Sequence, residues 1–370
     1  MRPVRLLLLG TGNMAARHAM EFAALPGCEV VAAVELVPER LQTFLAAHKI
    51  ARGFTSLDEA IAWGEFDAAA NITPDAVHFS TTMHLIAASK HVFCEKPLAP
   101  TYREALEMTE AVETAGLINM VNLRYRGLAV MQRARELVAT GRIGAVRHID
   151  AAFLQSWLVG LHWGDWRTEE RWLWRLSHAH GSKGVLGDLG VHILDFACFV
   201  SGQNATSVHC RLKSFAKAES GRIGPYDLDA NDSFIMSIEF DGGALGVVHA
   251  SRWTTGYANA QKVGIYGTEG GLEIFFESER SSLRACLGED VHTQTWREVE
   301  CPPVPLTYET FVEAVSTGRN AEPSFRHAAE LQHVLDLCFE SDARGAAVQV
   351  DKPGGEGGTA YRGAAAGSPS

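Results

Sequence analysis

A glycine-rich turn close to the start of the chain constrains the fold more than any other feature. Residues 10–15 have the sequence Gly-Thr-Gly-Asn-Met-Ala and directly follow an apolar run at 4–9. In a GxGxxA turn, the first glycine permits a tight bend, the second lets the backbone approach a pyrophosphate, and the alanine allows close helix packing. The free N–H groups at the start of the following helix attract the anion. The pattern predicts a dinucleotide site with contacts from Gly10, Thr11, Gly12, Asn13 and Met14.

An acidic residue at the end of the second predicted strand supports this interpretation. Glu35 lies 20 residues beyond Ala15, where a carboxylate accepts hydrogen bonds from the adenosine ribose and repels a 2′-phosphate. We therefore expect NAD rather than NADP as the cofactor. Two alternatives stay open: Glu35 is only a solvated charge at a strand end, or Arg40 turns inward and pairs with a phosphate.

The first 122 residues alternate short apolar runs with helical patterns. Such alternation is typical of a parallel sheet with crossover helices. Helices are predicted to begin at two capping boxes, Ser56 with Glu59 and Thr101 with Glu104. Residues 1–122 are thus predicted to form a doubly wound Rossmann domain with strands at 4–9, 29–34, 67–71, 91–94 and 117–121.

The rhythm changes after residue 144. Longer segments of alternating polarity at 233–240, 244–251 and 261–267, with an Asp-Gly-Gly turn at 241–243, predict a mostly antiparallel sheet. Residues 123–352 are therefore predicted to form an α+β domain, and residues 353–370, rich in Gly, Ala and Ser, a disordered tail. We expect one face of the sheet to be covered by helices at 129–140, 186–201, 307–317 and 325–343.

Composition and charge argue against several classes of protein. A net charge of -11, without a Lys/Arg-rich run, disfavours nucleic acid as a partner. No stretch approaches the roughly 18 apolar residues of a membrane span, and the run after Arg5 is too short for a signal peptide. The seven cysteines are widely spaced without a CxxC pair, so we expect no metal site and reduced thiols. A cytoplasmic protein is the expectation.

Candidate catalytic residues occur in two separate segments. Lys96 follows the fourth predicted strand, at the edge where open α/β sheets bind ligands. Asp188 and His192 are four residues apart on a predicted helix, so their side chains share one face. The alternatives are a solvated lysine, a capping aspartate and a satisfied core histidine.

Several motifs in order resemble the Gfo/Idh/MocA oxidoreductase family, which includes glucose-fructose oxidoreductases and inositol dehydrogenases. The resemblance extends over about residues 4–350. Its motifs are the glycine turn, Thr-Pro-Asp at 73–75 with His78, Cys-Glu-Lys-Pro-Leu at 94–98, Asp-Leu-Gly-Val-His at 188–192, and shorter matches at 124–125, 141–144, 266–270 and 323–325.

The resemblance implies a hydride transfer between nicotinamide and a hydroxyl or keto carbon of a polyhydroxylated small molecule such as a sugar or cyclitol. It implies that His192 is the acid/base, that Lys96 holds the reacting oxygen, and that Asp188 positions the substrate or the imidazole. It also implies a cis peptide before Pro97. The further cofactor contacts it implies are Asn71, Thr73, Pro74, His78, Glu95 and Lys96, and the substrate contacts are Lys96, Arg124, Tyr125, Asp188 and His192.

The segment before Asp188 departs from the family pattern. Many relatives carry three glycines there, whereas this chain has Ser-Lys-Gly at 182–184, and we expect Lys183, with His178 and His180, to reshape the substrate pocket. Five of the eight tryptophans lie at 157–174. Core or interface packing is the favoured interpretation of this cluster, with Trp166 and Arg167 as candidate substrate contacts.

The resemblance leads to three hypotheses about function and one expectation about assembly. The leading hypothesis is an NAD-dependent sugar or cyclitol dehydrogenase. The alternatives are an NAD-dependent glycosidase that acts through transient oxidation, and a non-catalytic cofactor-sensing protein. A homodimer or homotetramer is expected to form through the open face of the second sheet, since an uncovered apolar face needs a partner.

Overall fold

The computed structural model describes residues 2–278 and 280–351, and two large β-sheets with their helices form most of this part of the chain. The predicted disordered tail at 353–370 lies outside the described residues. No helix in the described part of the chain has the length and apolar character needed to cross a bilayer.

The first sheet has six parallel strands, and the helices between them cover both faces. The strands are β1 (Val4–Leu9), β2 (Cys28–Val34), β3 (Arg52–Phe54), β4 (Ala68–Asn71), β5 (His91–Cys94) and β6 (Asn119–Val121). The helices are α1 (Asn13–Ala23), α2 (Pro38–His48), α3 (Leu57–Trp63), α4 (Asp75–Ala87) and α5 (Tyr102–Thr114). The strand order β3-β2-β1-β4-β5-β6 reverses between β1 and β4, which creates the crevice where dinucleotides bind.

The local signals of this domain are confirmed. All five predicted strands are present, and the predicted doubly wound parallel sheet is confirmed. The Ser56 hydroxyl accepts the Glu59 amide at 3.2 Å, and the Thr101 hydroxyl accepts the Glu104 amide at 3.3 Å. Strand β3 was not predicted because its three residues include an arginine and a glycine and form no apolar run.

The second sheet has nine strands in the order β16-β15-β14-β13-β7-β12-β11-β8-β17. Pairings among its described strands are antiparallel except that of β7 with β12. A two-stranded ribbon, β9 with β10, lies beside it. The strands are β7 (Val146–Leu154), β8 (Ala205–Lys213), β9 (Arg222–Ile223), β10 (Tyr226–Asp227), β11 (Ser233–Phe240), β12 (Leu245–Ser251), β13 (Ala260–Gly267), β14 (Gly270–Glu277), β15 (Arg280–Leu287), β16 (Arg297–Glu298) and β17 (Val348–Gln349).

Helices pack on one face of this sheet, as predicted, with one exception. The helices are α6 (Ala129–Ala139), α7 (Glu170–Leu173), α8 (Val191–Ser201), α9 (Asp290–Thr293), α10 (Thr307–Thr317) and α11 (Phe325–Arg344). Helices α6 and α8 pack against the sheet, and α11 lies between β8 and α5, so it contacts both domains.

The predicted position of helix α10 on the second sheet is wrong. Tyr308 and Phe311 are buried in the core of the first sheet, together with Leu6 and Leu8 of β1. The Phe311 ring lies 5.3 Å from that of Phe93 on β5. An amphipathic pattern shows that a helix buries one face, but it does not identify the sheet against which that face packs.

The face of the second sheet opposite the helices carries exposed apolar side chains. Ile235 on β11 and Leu245 and Val247 on β12 are 59%, 54% and 37% exposed. Strand β12 lies between β11 and β7, so this surface is at the middle of the sheet.

Candidate active site

The glycine turn joins β1 to α1 and leaves room for a ligand. Gly10 has φ +98°, and a Cβ there would lie 2.8 Å from the Ile72 carbonyl oxygen, so only glycine fits. Nothing lies within 4 Å of a Cβ built on Gly12. Gly12 precedes the first residue of α1 without a side-chain cap, and Asn13 and Met14 are exposed. The turn therefore offers uncapped backbone N–H groups and the space that a pyrophosphate requires.

Glu35 borders this turn at the end of β2. Its carboxylate accepts the Thr11 hydroxyl at 2.7 Å and the Val37 amide at 3.1 Å. Partial burial acts to raise the pKa of Glu35, but these hydrogen bonds outweigh it and lower the pKa below its usual value. The carboxylate is therefore ionised at neutral pH and is placed beside the turn as the ribose interpretation requires.

Lys96 follows β5 and reaches the second domain. Its ammonium Nζ lies 3.1 Å from the Asp188 carbonyl oxygen and 3.4 Å from Asp188 Oδ1. The peptide between Lys96 and Pro97 is cis, as the family resemblance implies. Lys96 and Asp188, 92 residues apart in sequence, thus meet at the carboxyl edge of the first sheet.

Asp188 lies at the centre of a positively charged cluster. Lys96 bonds Oδ1, and the other carboxylate oxygen, Oδ2, accepts hydrogen bonds from Arg175 at 3.2 Å and from Arg252 at 3.1 Å. Burial acts to raise the pKa of Asp188, but the charges of Arg175, Lys96 and Arg252 outweigh it and hold the pKa far below its usual range. Asp188 is therefore an anion that faces three cations, and the cluster carries an excess of positive charge.

The backbone around Asp188 differs from the regular α-helix that the sequence predicts. Leu186–Gly190 forms a π-helical turn, and α8 continues directly from it. Turns of this kind are frequent at functional sites because they redirect side chains within a helix. Asp188 remains close enough to His192 for the ionisation of one residue to affect the pKa of the other.

His192 is a neutral imidazole at the floor of the site. Its side chain is buried, with 6% of the residue exposed, and its ring packs edge-on against Tyr125 at 5.0 Å. Burial, and then the charges of Lys96 and Arg124, lower the pKa of His192 well below its usual value. Among the described residues no hydrogen bond engages its ring nitrogens. An uncharged imidazole with an available nitrogen is suited to accept a proton.

Arg124 and Tyr125 form the wall next to His192. The Tyr125 hydroxyl accepts Arg124 at 2.7 Å and Asn259 at 3.4 Å. The Arg124 guanidinium lies 4.2 Å from the centre of the Tyr125 ring. The side chains expected at the substrate from this short segment are thus adjacent to the candidate base.

Three of the expected cofactor contacts use their side chains to hold the loops of the site. Asn71 is buried and bonds Thr81 and Thr82 of α4 at 2.8 and 2.9 Å. Glu95 accepts His18 at 2.8 Å and Asn122 at 2.7 Å. These contacts lie within the protein, so the side chains support the surface that borders the cofactor crevice.

His78, the third of these residues, joins the two loops that flank the crevice. Nδ1 lies 2.8 Å from the Pro97 carbonyl oxygen and Nε2 lies 2.8 Å from the Thr73 carbonyl oxygen. Both oxygens only accept, so both ring nitrogens must donate and the ring is an imidazolium. Burial lowers the pKa of His78, but Cys94 and the Pro97 carbonyl outweigh it and raise the pKa to about 10. Thr73 and the exposed Pro74 lie in the loop that leads into α4.

The tryptophan-rich segment is packed as a cluster. Trp166 is 1% exposed, and its indole donates to the Leu158 carbonyl oxygen at 3.2 Å. Its ring presents almost no free surface, so the expected contact between Trp166 and substrate has no support from the structure and stays a prediction. Arg167 stacks on this ring at 4.7 Å and is half-exposed. The structure thus favours hydrophobic packing over sugar stacking as the role of the Trp166 ring.

The side chains of the segment that departs from the family pattern contact their own loop, strand β10 and the first domain. His178 Nδ1 bonds the Ser182 carbonyl oxygen at 2.8 Å, and His180 packs on Tyr226 with ring centres 4.3 Å apart. The Lys183 ammonium bonds the Pro100 carbonyl oxygen of the first domain. The Lys183 amine thus lies at the domain junction, and its effect on the substrate pocket stays a prediction.

Sequence reasoning missed Arg175 and Arg252. Arg252 directly follows β12 and is fully buried. Its guanidinium lies 5.0 Å from the centre of the Trp157 ring. Arg175 follows the tryptophan cluster, which was the only nearby signal. No local pattern marks Arg252, because its contact with Asp188 joins segments 64 residues apart.

An open dinucleotide turn bordered by an acid at the end of β2, on the same Rossmann sheet whose carboxyl edge carries a Lys–Asp–His cluster, is typical of a nicotinamide-dependent oxidoreductase. Two family models agree with this class. Residues 4–123 match "Oxidoreductase family, NAD-binding Rossmann fold", and residues 131–273 match "GFO/IDH/MocA C-terminal domain". The chain belongs to the GFO/IDH/MocA family, and its first domain binds NAD.

Characterised relatives cover most of the chain. Levoglucosan dehydrogenase of Pseudarthrobacter phenanthrenivorans is 25% identical over 95% of this chain and 99% of that protein. The 1,5-anhydro-D-fructose reductase of Ensifer adhaerens is 29% identical over 72% of this chain and 74% of that protein. A solved structure of levoglucosan dehydrogenase in complex with NADH and L-sorbose has a TM-score of 0.85 at 24% identity, and the match covers 95% of this chain and 100% of that chain. At this identity the structural match establishes a common fold.

Proposed function

We propose that the protein transfers a hydride between NAD and a hydroxyl or keto carbon of a sugar, cyclitol or sugar derivative. The observation that carries this proposal is the contact of Lys96 with Asp188, next to His192 and at the same sheet edge as the glycine turn. The names of the relatives, which are sugar dehydrogenases and reductases, support a polyhydroxylated substrate.

The site residues have complementary tasks in the oxidation direction. Neutral His192 accepts the proton of the reacting hydroxyl at a ring nitrogen. The Lys96 ammonium donates a hydrogen bond to the same oxygen and stabilises its alkoxide character. Asp188 orients Lys96, and Arg175 with Arg252 keeps Asp188 ionised. When bound, NAD supplies the hydride acceptor at C4 of the nicotinamide ring.

The excess positive charge of the cluster favours this step. Three cations around one carboxylate leave a positive field where the oxygen becomes negative. Because these groups are held by the fold before substrate binds, little reorganisation is needed during the reaction. Arg252 is the fully buried cation of the three, so water screens its charge less than those of Lys96 and Arg175.

A screen tests the proposal. Reduction of NAD is measured by NADH absorbance over a panel of polyols, aldoses and inositols, and the best substrate is then used with His192→Ala. We expect loss of a general base to lower kcat by about 10²–10⁴-fold. The matched control is His292→Ala, an exposed histidine in α9, which should retain the wild-type rate. Full turnover by His192→Ala across pH, or an NAD-inactive panel, would contradict the proposal. Release of a sugar without net NADH would instead indicate a glycosidase.

We also propose features of organisation that complete this function. Residues 1–122 form the cofactor domain, to which α10 adds from the far end of the chain, and residues 123–352 form the substrate and assembly domain. The exposed apolar patch of Ile235, Leu245 and Val247 supports a homodimer or homotetramer through the open sheet face. Light scattering that finds only monomer would remove this assignment. The protein is proposed to act in the cytoplasm.

A further inference from the structure

Lys183 connects the two domains five residues before Asp188. Its ammonium bonds the Pro100 carbonyl oxygen and lies 3.4 Å from Asp336 Oδ1 on α11. The other carboxylate oxygen of Asp336 accepts the backbone amide of Tyr102 at 2.7 Å. Lys183 and Asp336 together therefore hold the chain between the end of the Lys96 segment and the start of α5.

The backbone on the other side of this contact is also held firmly. The Asn231 side chain donates to the Lys183 carbonyl oxygen at 3.0 Å and accepts the Leu186 amide at 3.0 Å. Gly184, between these residues, has φ +69°, and a Cβ there would lie 2.4 Å from Asn231 Nδ2. The position of Lys183 is thus transmitted directly to the turn that carries Asp188.

The two segments bond each other reciprocally. Lys96 donates to the carbonyl oxygen of Asp188, and Lys183 donates to the carbonyl oxygen of Pro100. Lys96 precedes Pro100 by four residues, and Lys183 precedes Asp188 by five. Two lysines, each from one segment and each bonded to the other segment, define the separation of the segments at two points.

The two contacts have different tasks during catalysis. The Lys96 ammonium has three N–H donors, so it can bond the reacting oxygen as well as Asp188, and its position is then shared between the substrate and the second domain. The Lys183 contact involves protein groups only, so it does not depend on the substrate. We propose that Lys183 is a positioning residue that keeps the Lys96 and Asp188 segments at their catalytic separation while Lys96 holds the substrate; the proposal rests on the roles assigned to Lys96 and Asp188 above.

The test compares Lys183→Met, which keeps the length of the side chain and removes its charge, with Lys183→Arg, which restores a donor. Lys49→Met, the same change at an exposed lysine of the first domain, is the matched control. Hydrogen–deuterium exchange of the full chain with NAD bound is measured at residues 98–102 and 183–190. We expect exchange there to be about tenfold faster in Lys183→Met alone, with the rest of the chain unchanged.

Steady-state kinetics provides the second measurement. With the best substrate of the screen, Lys183→Met should lower kcat/KM about tenfold, mainly through kcat, while the NADH dissociation constant stays within about twofold of wild type. Lys183→Arg should recover most of the rate. Unchanged local exchange, or a wild-type kcat in Lys183→Met, would overturn the proposal, as would an equal effect of Lys49→Met. A screen without any substrate would refute the proposed function and leave the exchange comparison as a decisive test of the contact.

Discussion

Replacement of Arg252 by Met should destabilise the protein strongly, because it removes one charge of a buried ion pair. Arg252 is fully buried, and its guanidinium lies 3.1 Å from Asp188 Oδ2 and 3.2 Å from the Arg175 carbonyl oxygen. Methionine has a side chain of similar length, but it carries no charge to place over the Trp157 ring and donates no hydrogen bond. The substitution therefore leaves Asp188 Oδ2 and the Arg175 carbonyl oxygen with one donor fewer each.

The structure sets the expected magnitude. Breaking a buried ion pair by removing one partner costs about 3–5 kcal/mol. Asp188 keeps Arg175 and Lys96, so its charge stays partly compensated, and we expect the lower end, about 3 kcal/mol. For a domain of this size, about 2–4 °C per kcal/mol converts this to a fall of about 6–12 °C in the midpoint of thermal unfolding.

Scanning calorimetry or circular dichroism measures this midpoint, with Arg211→Met as the matched control. Arg211 forms an exposed ion pair with Asp342 at 3.3 Å, and its side chain is 67% exposed. Exposed pairs contribute about 0–1 kcal/mol, so the control should unfold within about 4 °C of wild type. If Arg252→Met unfolds as close to wild type as the control does, the assignment of Arg252 as a required partner of Asp188 is refuted.

Three further predictions concern other parts of the molecule. Glu35→Ala should raise the affinity for NADP relative to NAD by about tenfold, since the carboxylate that repels a 2′-phosphate is removed. The measurement is calorimetric titration with both cofactors, and a wild-type protein that binds NADP more tightly than NAD would contradict the prediction. The free energy of unfolding should fall as pH rises from 6.5 towards about 10. The reason is that the pKa of His78 is raised in the folded state, so the stabilisation from its charged ring is complete below pH 6.5 and is lost as pH rises towards the folded-state pKa. Urea unfolding of His78→Gln should depend less on pH than that of the wild type, and equal pH dependence of the two proteins would refute the imidazolium. Phe311→Ala should cost about 3–5 kcal/mol by leaving a cavity in the first domain, whereas Phe215→Ala, at an exposed site, should cost less than about 1 kcal/mol; equal urea midpoints would refute the packing of α10.

Much of the first domain was predictable because its signals are local. The residues of the glycine turn between the strand and the helix fix its backbone geometry themselves. Each of the two capping boxes specifies a helix start through hydrogen bonds within four residues. Glu35 was identified by its distance from the turn along the chain. Strand β3 escaped because three residues without an apolar run carry no periodic signal.

The candidate site was predictable only in part. Lys96, Asp188 and His192 each lie within a short continuous sequence motif, so the family resemblance identified them. The burial of Trp166 and the inward contacts of His78 depend on what other segments place around them, and residue type alone does not reveal this.

The sequence by itself determined the alternation of strands and helices, the dinucleotide turn and the identity of the candidate acid/base and lysine. Tertiary structure alone decided that α10 packs on the first sheet, that Arg175 and Arg252 converge on Asp188, and that Lys183 bridges the domains. The physical reason is that periodicity and turn geometry arise from interactions over a few residues. The partner of a buried face or charge is chosen by packing between segments that are far apart in sequence.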